Sequence, residues 1–168
     1  HKSDLGGVKI GLSDAEAVAD AYELMMLRMQ KKAPNATIEG VNVQEMIAGG
    51  KEVIIGMTRN PQFGPLLLFG LGGIYVEVLK DVAFELAPLT EEEAHNLITS
   101  TKTYTLLQGV RGEESTDINA IGECLQRIGQ LVTDFPEIQE LDINPMKVKE
   151  VGHAAVAIDG RIGLMAQE

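Results

Sequence analysis

The sequence has one cysteine, few aromatic residues and fewer basic than acidic residues. Its one cysteine, Cys124, excludes an internal disulfide framework and is typical of a reducing compartment, so we expect a cytoplasmic location. Lysine and arginine number 14 against 25 aspartates and glutamates, which gives a formal net charge of −11. Because the sequence shows no basic patch, this balance disfavours binding to nucleic acid or to an anionic membrane surface.

Long hydrophobic runs are also missing. The longest, PLLLFGLGGIYV at 65–76, is too short and too rich in glycine for a membrane-spanning helix. What the sequence does contain is an ordinary globular share of apolar residues, 45% of 168. That is enough for one large domain or two small lobes with a real core.

Apolar residues at helical spacing and N-terminal capping patterns predict three helices. They cover roughly 14–32, 90–101 and 117–134. Ser13 and Glu16 form a capping-box pattern before the first helix, and Thr90 and Glu93 form another before the second.

Segments rich in β-branched and apolar residues, separated by glycine and proline turn signals, predict the strands. They are LGGVKIGL at 5–12, TIEGVNVQEMI at 37–47, KEVIIGMTRN at 51–60, GPLLLFGLG at 64–72, VAFELAPL at 82–89, EIQELDINPMKV at 137–148 and GHAAVAIDGRIGL at 152–164. Short separations favour an antiparallel meander, and the last two strands form a hairpin through KEVG. The sequence therefore predicts an α+β fold, an antiparallel sheet with helices packed on it.

The densest polar group is ELDINP at 140–145. In a strand, Glu140, Asp142 and Asn144 point to one face. Mg²⁺ would satisfy three such oxygen-bearing side chains, and Asp159 on the partner strand could face the same group. On the pattern alone, a solvated strand face is the commoner explanation, and the proline after Asn144 could simply end the strand.

Two glycine-rich segments also allow either a binding role or a purely structural one. Gly6-Gly7 and Gly72-Gly73 would let the backbone approach a phosphate, although hairpin turns are the commoner use of such pairs. The segment VQEMIAGGKE at 43–52 has the form of a hinge whose peptide groups could bind an adenine edge, with Glu52 behind it. A plain hairpin is the alternative here too.

Four segments in order resemble the nucleotide-binding subunit or domain of NDP-forming acyl-CoA synthetases, an ATP-grasp family that includes ADP-forming acetate–CoA ligase. They are HKSDLGGVKIGL, then VQEMIAGGKEVIIGMTRNPQFGPLLLFGLGGIYVEVLKDVAFELAPL, then LLQGVRG, then ELDINPMKV with VAIDGRIGL. The resemblance runs nearly end to end. It implies two lobes, with 1–43 as the remainder of the first and 44–168 as the second, which would hold the nucleotide and Mg²⁺.

The resemblance also implies roles for individual residues. The family passes phosphate through acyl phosphate and phosphohistidine intermediates, and the resemblance gives His1 the relay of phosphate to ADP, with Asp142 as a catalytic neighbour of the metal site. The implied nucleotide contacts are Lys2, Ser3, Gln44, Glu45, Met46, Ile47 and Glu52, and the implied Mg²⁺ ligands are Asn144 and Asp159. Glu77 and Arg111 lie in family-typical stretches without an assigned role.

Two departures from the family pattern matter. Family members have further residues before HKSD, which complete the first lobe, so we expect this chain to be inactive in isolation. Relatives often have a basic residue in the stretch FRLAPL, where this sequence has Glu85, so an anion contact at that position is in doubt. The resemblance also implies a separate CoA- and acyl-binding subunit or domain that carries the primary phosphohistidine.

The sequence therefore predicts the nucleotide-binding part of an ADP-forming acyl-CoA synthetase, a ligase that uses ATP or ADP with Mg²⁺. Two alternatives stay open. One is an ATP-grasp-like domain fused to a protein acetyltransferase, with a regulatory role and no ligase activity. The other is a structural or interaction domain whose acidic strand face is merely solvated. Neither the acyl substrate, nor the choice between ADP and GDP, nor the oligomeric state follows from the sequence.

Overall fold

A computed structural model describes residues 6–72, 80–102, 104–109, 112 and 114–165. Its contacts divide the chain into two compact units, His1–Ile47 and Ala48–Glu168. The lobe boundary between residues 43 and 44 stays a prediction, because compactness alone does not identify an ATP-grasp lobe. None of the described helices is long and apolar enough to cross a membrane.

The described residues of the first unit form one helix, α1, Ala15–Lys32. This confirms the predicted helix but not its predicted cap. Asp14 is the N-cap, and its carboxylate accepts a 2.9 Å hydrogen bond from the backbone amide of Ala17. Ser13 donates its hydroxyl hydrogen to Asp14 instead of capping the helix. A carboxylate at the N-cap also suits the helix dipole, which a neutral serine hydroxyl does not.

The two strands predicted in the first unit are wrong. No strand occurs among the described residues of 5–12 or within 37–47. Ile10 and Val43 are 69% and 66% exposed, so the alternating apolar residues do not form a buried face. A strand is stable only beside a neighbour that pairs with its backbone, and no described residue of this unit forms such a pair.

The second unit is built on an antiparallel sheet. Its described strands are β1 Lys51–Asn60, β2 Gly64–Leu71, β3 Val82–Leu86, β4 Ile138–Val148, β5 Val156–Ala157 and β6 Gly160–Leu164. The strand order is β3-β2-β1-β4-β5, and β6 also pairs with β4. This confirms the meander of β1 to β3 and the hairpin after β4, although the second hairpin strand is broken at Ile158 and Asp159.

Between β3 and β4 the described residues form three helices. They are α2 Glu91–Thr99, α3 Tyr104–Leu107 and α4 Ile118–Asp134. The predicted Thr90–Glu93 capping box opens α2, and Asp117 caps α4. The second and third predicted helices are thereby confirmed, as is the α+β architecture of sheet and packed helices.

One face of the sheet and the helices form the hydrophobic core. Phe69 and Ile55 from the sheet and Leu125 from α4 are fully buried there. The opposite face carries exposed side chains, among them Thr58 and Phe84. The sheet therefore has a core face and an open face.

Arg59, at the end of β1, ties α4 to the start of β4. Its guanidinium donates to the carbonyl oxygen of Val132 at 2.6 Å and to that of Ile138 at 2.9 Å. The carbonyl of Val132 is near the end of α4, where a positive charge also suits the helix dipole. These bonds hold β4, the strand with the most polar side chains on the open face, in a fixed place.

Candidate functional site

β4 carries the polar group that the sequence pattern singled out. Glu140, Asp142 and Asn144 are all exposed on the open face, while Leu141 is buried and Ile143 packs against the core. The predicted alternation is therefore confirmed for this part of the strand. It follows that one strand supplies both core and candidate site.

The strand is irregular at Asn144. β1 and β4 pair at Ile55 with Ile143 and at Val53 with Met146, so two steps along β1 face three along β4. This extra residue is a β-bulge, a feature that re-aims side chains and is frequent beside active sites. β4 continues past the proline that follows Asn144 as far as Val148, so the suggestion that the proline ends the strand is wrong.

Asn144 and Asp159 lie side by side on neighbouring segments. The backbone amide of Asn144 donates a 3.0 Å hydrogen bond to the carbonyl oxygen of Asp159, at the break between β5 and β6. Their side chains offer an amide oxygen and a carboxylate, both hard ligands of the kind that Mg²⁺ prefers. The donor chemistry thus fits the cation.

The protein offers this cation few ligands. Within the described part of the chain, no three His, Cys, Asp or Glu side chains are close enough to form a metal cluster. A metal held by Asn144 and Asp159 would therefore complete its coordination with water and phosphate oxygens, which is the usual arrangement for Mg²⁺ on nucleotides.

Asp142 is the neighbour of this pair on β4. Partial burial raises the pKa of the Asp142 carboxyl above its ordinary value, the guanidinium of Arg161 acts against that shift, and the carboxylates of Asp159 and Glu140 add to it. These influences show that four charged groups share one small region. Arg161 also forms an ion pair with Glu140.

The open face has an apolar half and a charged half. One row of paired residues crosses it from Phe84 through Leu68, Gly56 and Asp142 to Arg161. These residues line a shallow cavity of about 340 Å³. Gly56 contributes no side chain at the centre of the row, so the cavity lies between an apolar wall and a charged wall.

Glu52 lies at the start of β1, across from Lys147 of β4. A Lys147 ammonium–Glu52 carboxylate distance of 3.7 Å makes an ion pair in which the lysine side chain is mostly buried. The amide of Gly72 donates to the carbonyl of Glu52 at 2.7 Å. A Cβ atom on Gly72 would lie 3.0 Å from the Glu52 backbone, so a larger residue there would require Glu52 to shift by a few tenths of an ångström.

The other candidate residues are more scattered. Gln44, Glu45, Met46 and Ile47 belong to the first unit, where they have no regular secondary structure and only Ile47 is partly buried. Their peptide groups form no hydrogen bond with another described residue. His1, Lys2, Ser3, Glu77 and Arg111 lie outside the described residues.

Sequence reasoning missed Arg161 altogether. The signal was present, because Arg161 follows Asp159 by two residues and alternation puts both on one face of a strand. What could not be read from the sequence is that β6 pairs Arg161 with Asp142 and brings it to Glu140.

A family model and several known proteins match this chain over most of its length. The model of the ATP-grasp domain matches residues 1–164. The 4-hydroxybutyrate–CoA ligase [ADP-forming] of Nitrosopumilus maritimus is 53% identical over 164 residues, which are 98% of this chain and 24% of that protein. The beta subunit of acetate–CoA ligase [ADP-forming] I of Pyrococcus furiosus is 44% identical over 162 residues, 96% of this chain and 69% of that subunit.

Solved structures agree with this match. The dinucleotide-forming acetyl-coenzyme A synthetase 1 of Ca. Korarchaeum cryptofilum, in complex with coenzyme A, Ca-AMPCP and HgCl+, superimposes with a TM-score of 0.91 at 44% identity, covering 97% of this chain and 70% of that chain. A structure of the same protein with coenzyme A and Mg-AMPPCP, its phosphohistidine segment pointing towards the nucleotide binding site, gives a TM-score of 0.84 at 41% identity, over 98% and 71% of the two chains. The chain thus spans about a quarter of the first relative and over two thirds of the others.

Proposed function

Because the chain belongs to the ATP-grasp family, in the portion shared with ADP-forming acyl-CoA ligases, we propose that it holds the nucleotide in such a ligase. The whole enzyme would catalyse acyl-CoA + ADP + phosphate ⇌ carboxylate + CoA + ATP. The observation that carries this proposal is the pairing of Asn144 with Asp159 at a bulge on the open face of the sheet.

Asn144 and Asp159 would hold Mg²⁺ through their side-chain oxygens. Bound Mg²⁺ would neutralise charge on the nucleotide phosphates, which phosphoryl transfer requires. A bound cation is needed for this, because the net charge of −11 gives the chain no overall electrostatic attraction for ATP.

His1 is the proposed relay of the phosphoryl group. An imidazole nitrogen of His1 would attack the γ-phosphorus of ATP, so that a nitrogen–phosphorus bond forms as the bond to the ADP oxygen breaks. The reverse step gives ATP from ADP. Asp142, on β4, would act as a catalytic carboxylate beside the proposed Mg²⁺ ligands.

The resemblance to the family supplies the proposed nucleotide contacts. The peptide groups of 44–47 would pair with an adenine edge, since none of them is bound to another described residue. Glu52, fixed by Lys147 and by the close approach of Gly72, would accept hydrogen bonds from a nucleotide hydroxyl. Lys2 and Ser3 would contact the phosphates.

The partner would be a CoA- and acyl-binding subunit or domain that carries the primary phosphohistidine. Two observations support it. The Pyrococcus relative is named as a beta subunit, and the Korarchaeum synthetase was solved with coenzyme A and with a phosphohistidine segment pointing towards its nucleotide binding site. No observation on this chain favours an acetyltransferase fusion.

The test is binding and turnover in the full-length protein. Calorimetry with Mg-ADP should detect one site per chain, lost when EDTA removes the metal. With acetyl-CoA, ADP and phosphate, or with the CoA ester of another acid, ATP should form. Absence of Mg-ADP binding would favour a solvated acidic face, and nucleotide binding without any CoA-dependent ATP synthesis would contradict the ligase proposal.

A further inference from the structure

Arg161 occupies a distinctive place on the open face. It lies opposite Asp142 in the pairing of β6 with β4, and its Nη2 atom contacts the carboxylate of Glu140. Gly163, which pairs with Glu140, makes this contact possible: a Cβ atom there would lie 2.6 Å from the Glu140 Cγ atom. The glutamate side chain therefore lies directly over Gly163.

The surroundings of Arg161 are acidic. Among the described residues that line the cavity, Glu140 and Asp142 carry negative charge and Arg161 is the one cation. Asp159 adds a third carboxylate whose charge reaches Asp142. A phosphoryl group entering this region would meet repulsion from these carboxylates, which a basic side chain would oppose together with bound Mg²⁺.

The ion pair contributes little to folding. The Arg161 and Glu140 side chains are 76% and 53% exposed, and exposed pairs of this kind stabilise proteins only weakly. The pair leaves the guanidinium with unused donors, because Glu140 is its one hydrogen-bond partner among the described residues. A planar guanidinium with free N–H groups is well suited to phosphate oxygens.

We propose that Arg161 binds the phosphoryl group in transfer, and that Glu140 occupies its guanidinium until that group arrives. This inference rests on the proposed function, since it assigns a residue to the phosphoryl end of the same nucleotide site. Arg161 binds the terminal phosphate of ATP, and it makes no contact with ADP alone.

The experiment compares two nucleotides in the full-length protein. Arg161→Gln should weaken binding of a non-hydrolysable Mg-ATP analogue about tenfold or more, as expected for loss of a charged hydrogen bond, while Mg-ADP affinity stays within about threefold. Single-turnover transfer of labelled phosphate should fall about a hundredfold or more. Arg161→Lys should retain part of the affinity for the Mg-ATP analogue and part of the transfer rate, because lysine keeps the charge but lacks the forked donors of arginine.

Two controls separate this role from a structural one. Arg127→Gln removes a similar exposed Arg–Glu pair on α4 and should leave both affinities unchanged. Glu140→Gln should bind the Mg-ATP analogue at least as tightly as the wild type, because it frees Arg161 and removes a negative charge.

The outcomes are distinguishable. Equal loss of ATP-analogue and ADP binding in Arg161→Gln, or the same loss in Glu140→Gln, would show that the residue only maintains the fold and would overturn the inference. Wild-type affinities in Arg161→Gln would overturn it as well. A wild-type protein that binds no nucleotide would instead refute the proposed function, and the inference with it.

Discussion

The amide of Asn144 donates to the carbonyl oxygen of Asp159 at 3.0 Å, and this bond joins the bulge of β4 to the break between β5 and β6. Two irregularities of the sheet therefore meet at one point. Because the bond is between backbone atoms, either side chain can be shortened without removing it. Side-chain variants at these positions thus test ligand chemistry and leave the pairing in place.

Replacing Asn144 and Asp159 with alanine should abolish Mg-nucleotide-dependent turnover, a loss of about a hundredfold or more, because both proposed ligands are gone. Initial rates across a Mg²⁺ titration measure this. Asn119→Ala, on an exposed part of α4, is the matched control and should keep its activity. Full turnover in the double variant would exclude these residues as the metal site.

Replacing His1 with asparagine should block transfer of phosphate to ADP, because asparagine has no nucleophilic ring nitrogen. Labelled phosphate on the partner's histidine should then accumulate without appearing in ATP. His153→Asn removes an exposed histidine paired with Glu150 and should transfer normally. Unchanged transfer in His1→Asn would contradict the relay role.

Gly72→Ala should destabilise the protein by about 1–3 kcal/mol, because the added methyl must displace the Glu52 backbone that lies 3.0 Å away. It should also weaken Mg-ADP binding through Glu52. Gly122→Ala on α4 meets no atom within 4 Å and should stabilise the helix by about 1 kcal/mol. Urea denaturation measures the stability of both variants. A Gly72→Ala protein as stable as the wild type would show that Gly72 does not pack tightly against the Glu52 backbone.

Glu93→Ala should destabilise the protein at pH 7 more than at pH 3. Hydrogen bonds from the Thr90 amide and hydroxyl hold the pKa of Glu93 below its ordinary value in the folded state. A lowered folded pKa gives stability that is present above the unfolded pKa and lost as the pH falls through the folded one.

Thermal melts of Glu93→Ala and wild type at several pH values between 7 and 3 show whether the difference between their melting temperatures becomes smaller in acid. Glu92→Ala, in the same first turn of α2, serves as the control for loss of a glutamate without the capping bonds. A difference in melting temperature that is constant with pH would mean that the stabilisation by the cap does not depend on the charge of Glu93.

Local signals in the sequence were sufficient for the three longer helices and for the polar strand, although they did not predict α3. The Thr90–Glu93 box fixes the start of α2 through bonds within four residues, and the alternation in 140–144 follows from strand geometry alone. Both depend on residues close in sequence. The resemblance to NDP-forming acyl-CoA synthetases, carried by longer segments, is confirmed by the family match.

Long-range pairing could not be predicted in the same way. Nothing in the sequence places β4 beside β1, or Arg161 beside Glu140, because those contacts depend on the whole sheet. The strands predicted at 5–12 and 37–47 failed for the same reason, since alternation indicates a possible strand but does not provide its partner.

The bulge in β4 also constrains how this strand can change in length. Before it, odd-numbered Leu141 faces the core; after it, even-numbered Met146 and Val148 do. Deleting one residue between Ile143 and Met146 would remove the bulge and pair the strands in regular register, so Met146 and Val148 would still face the core while the Asn144 side chain would be aimed differently. A change of length in this segment would therefore disturb the candidate site before the core, so homologous chains should preserve its spacing.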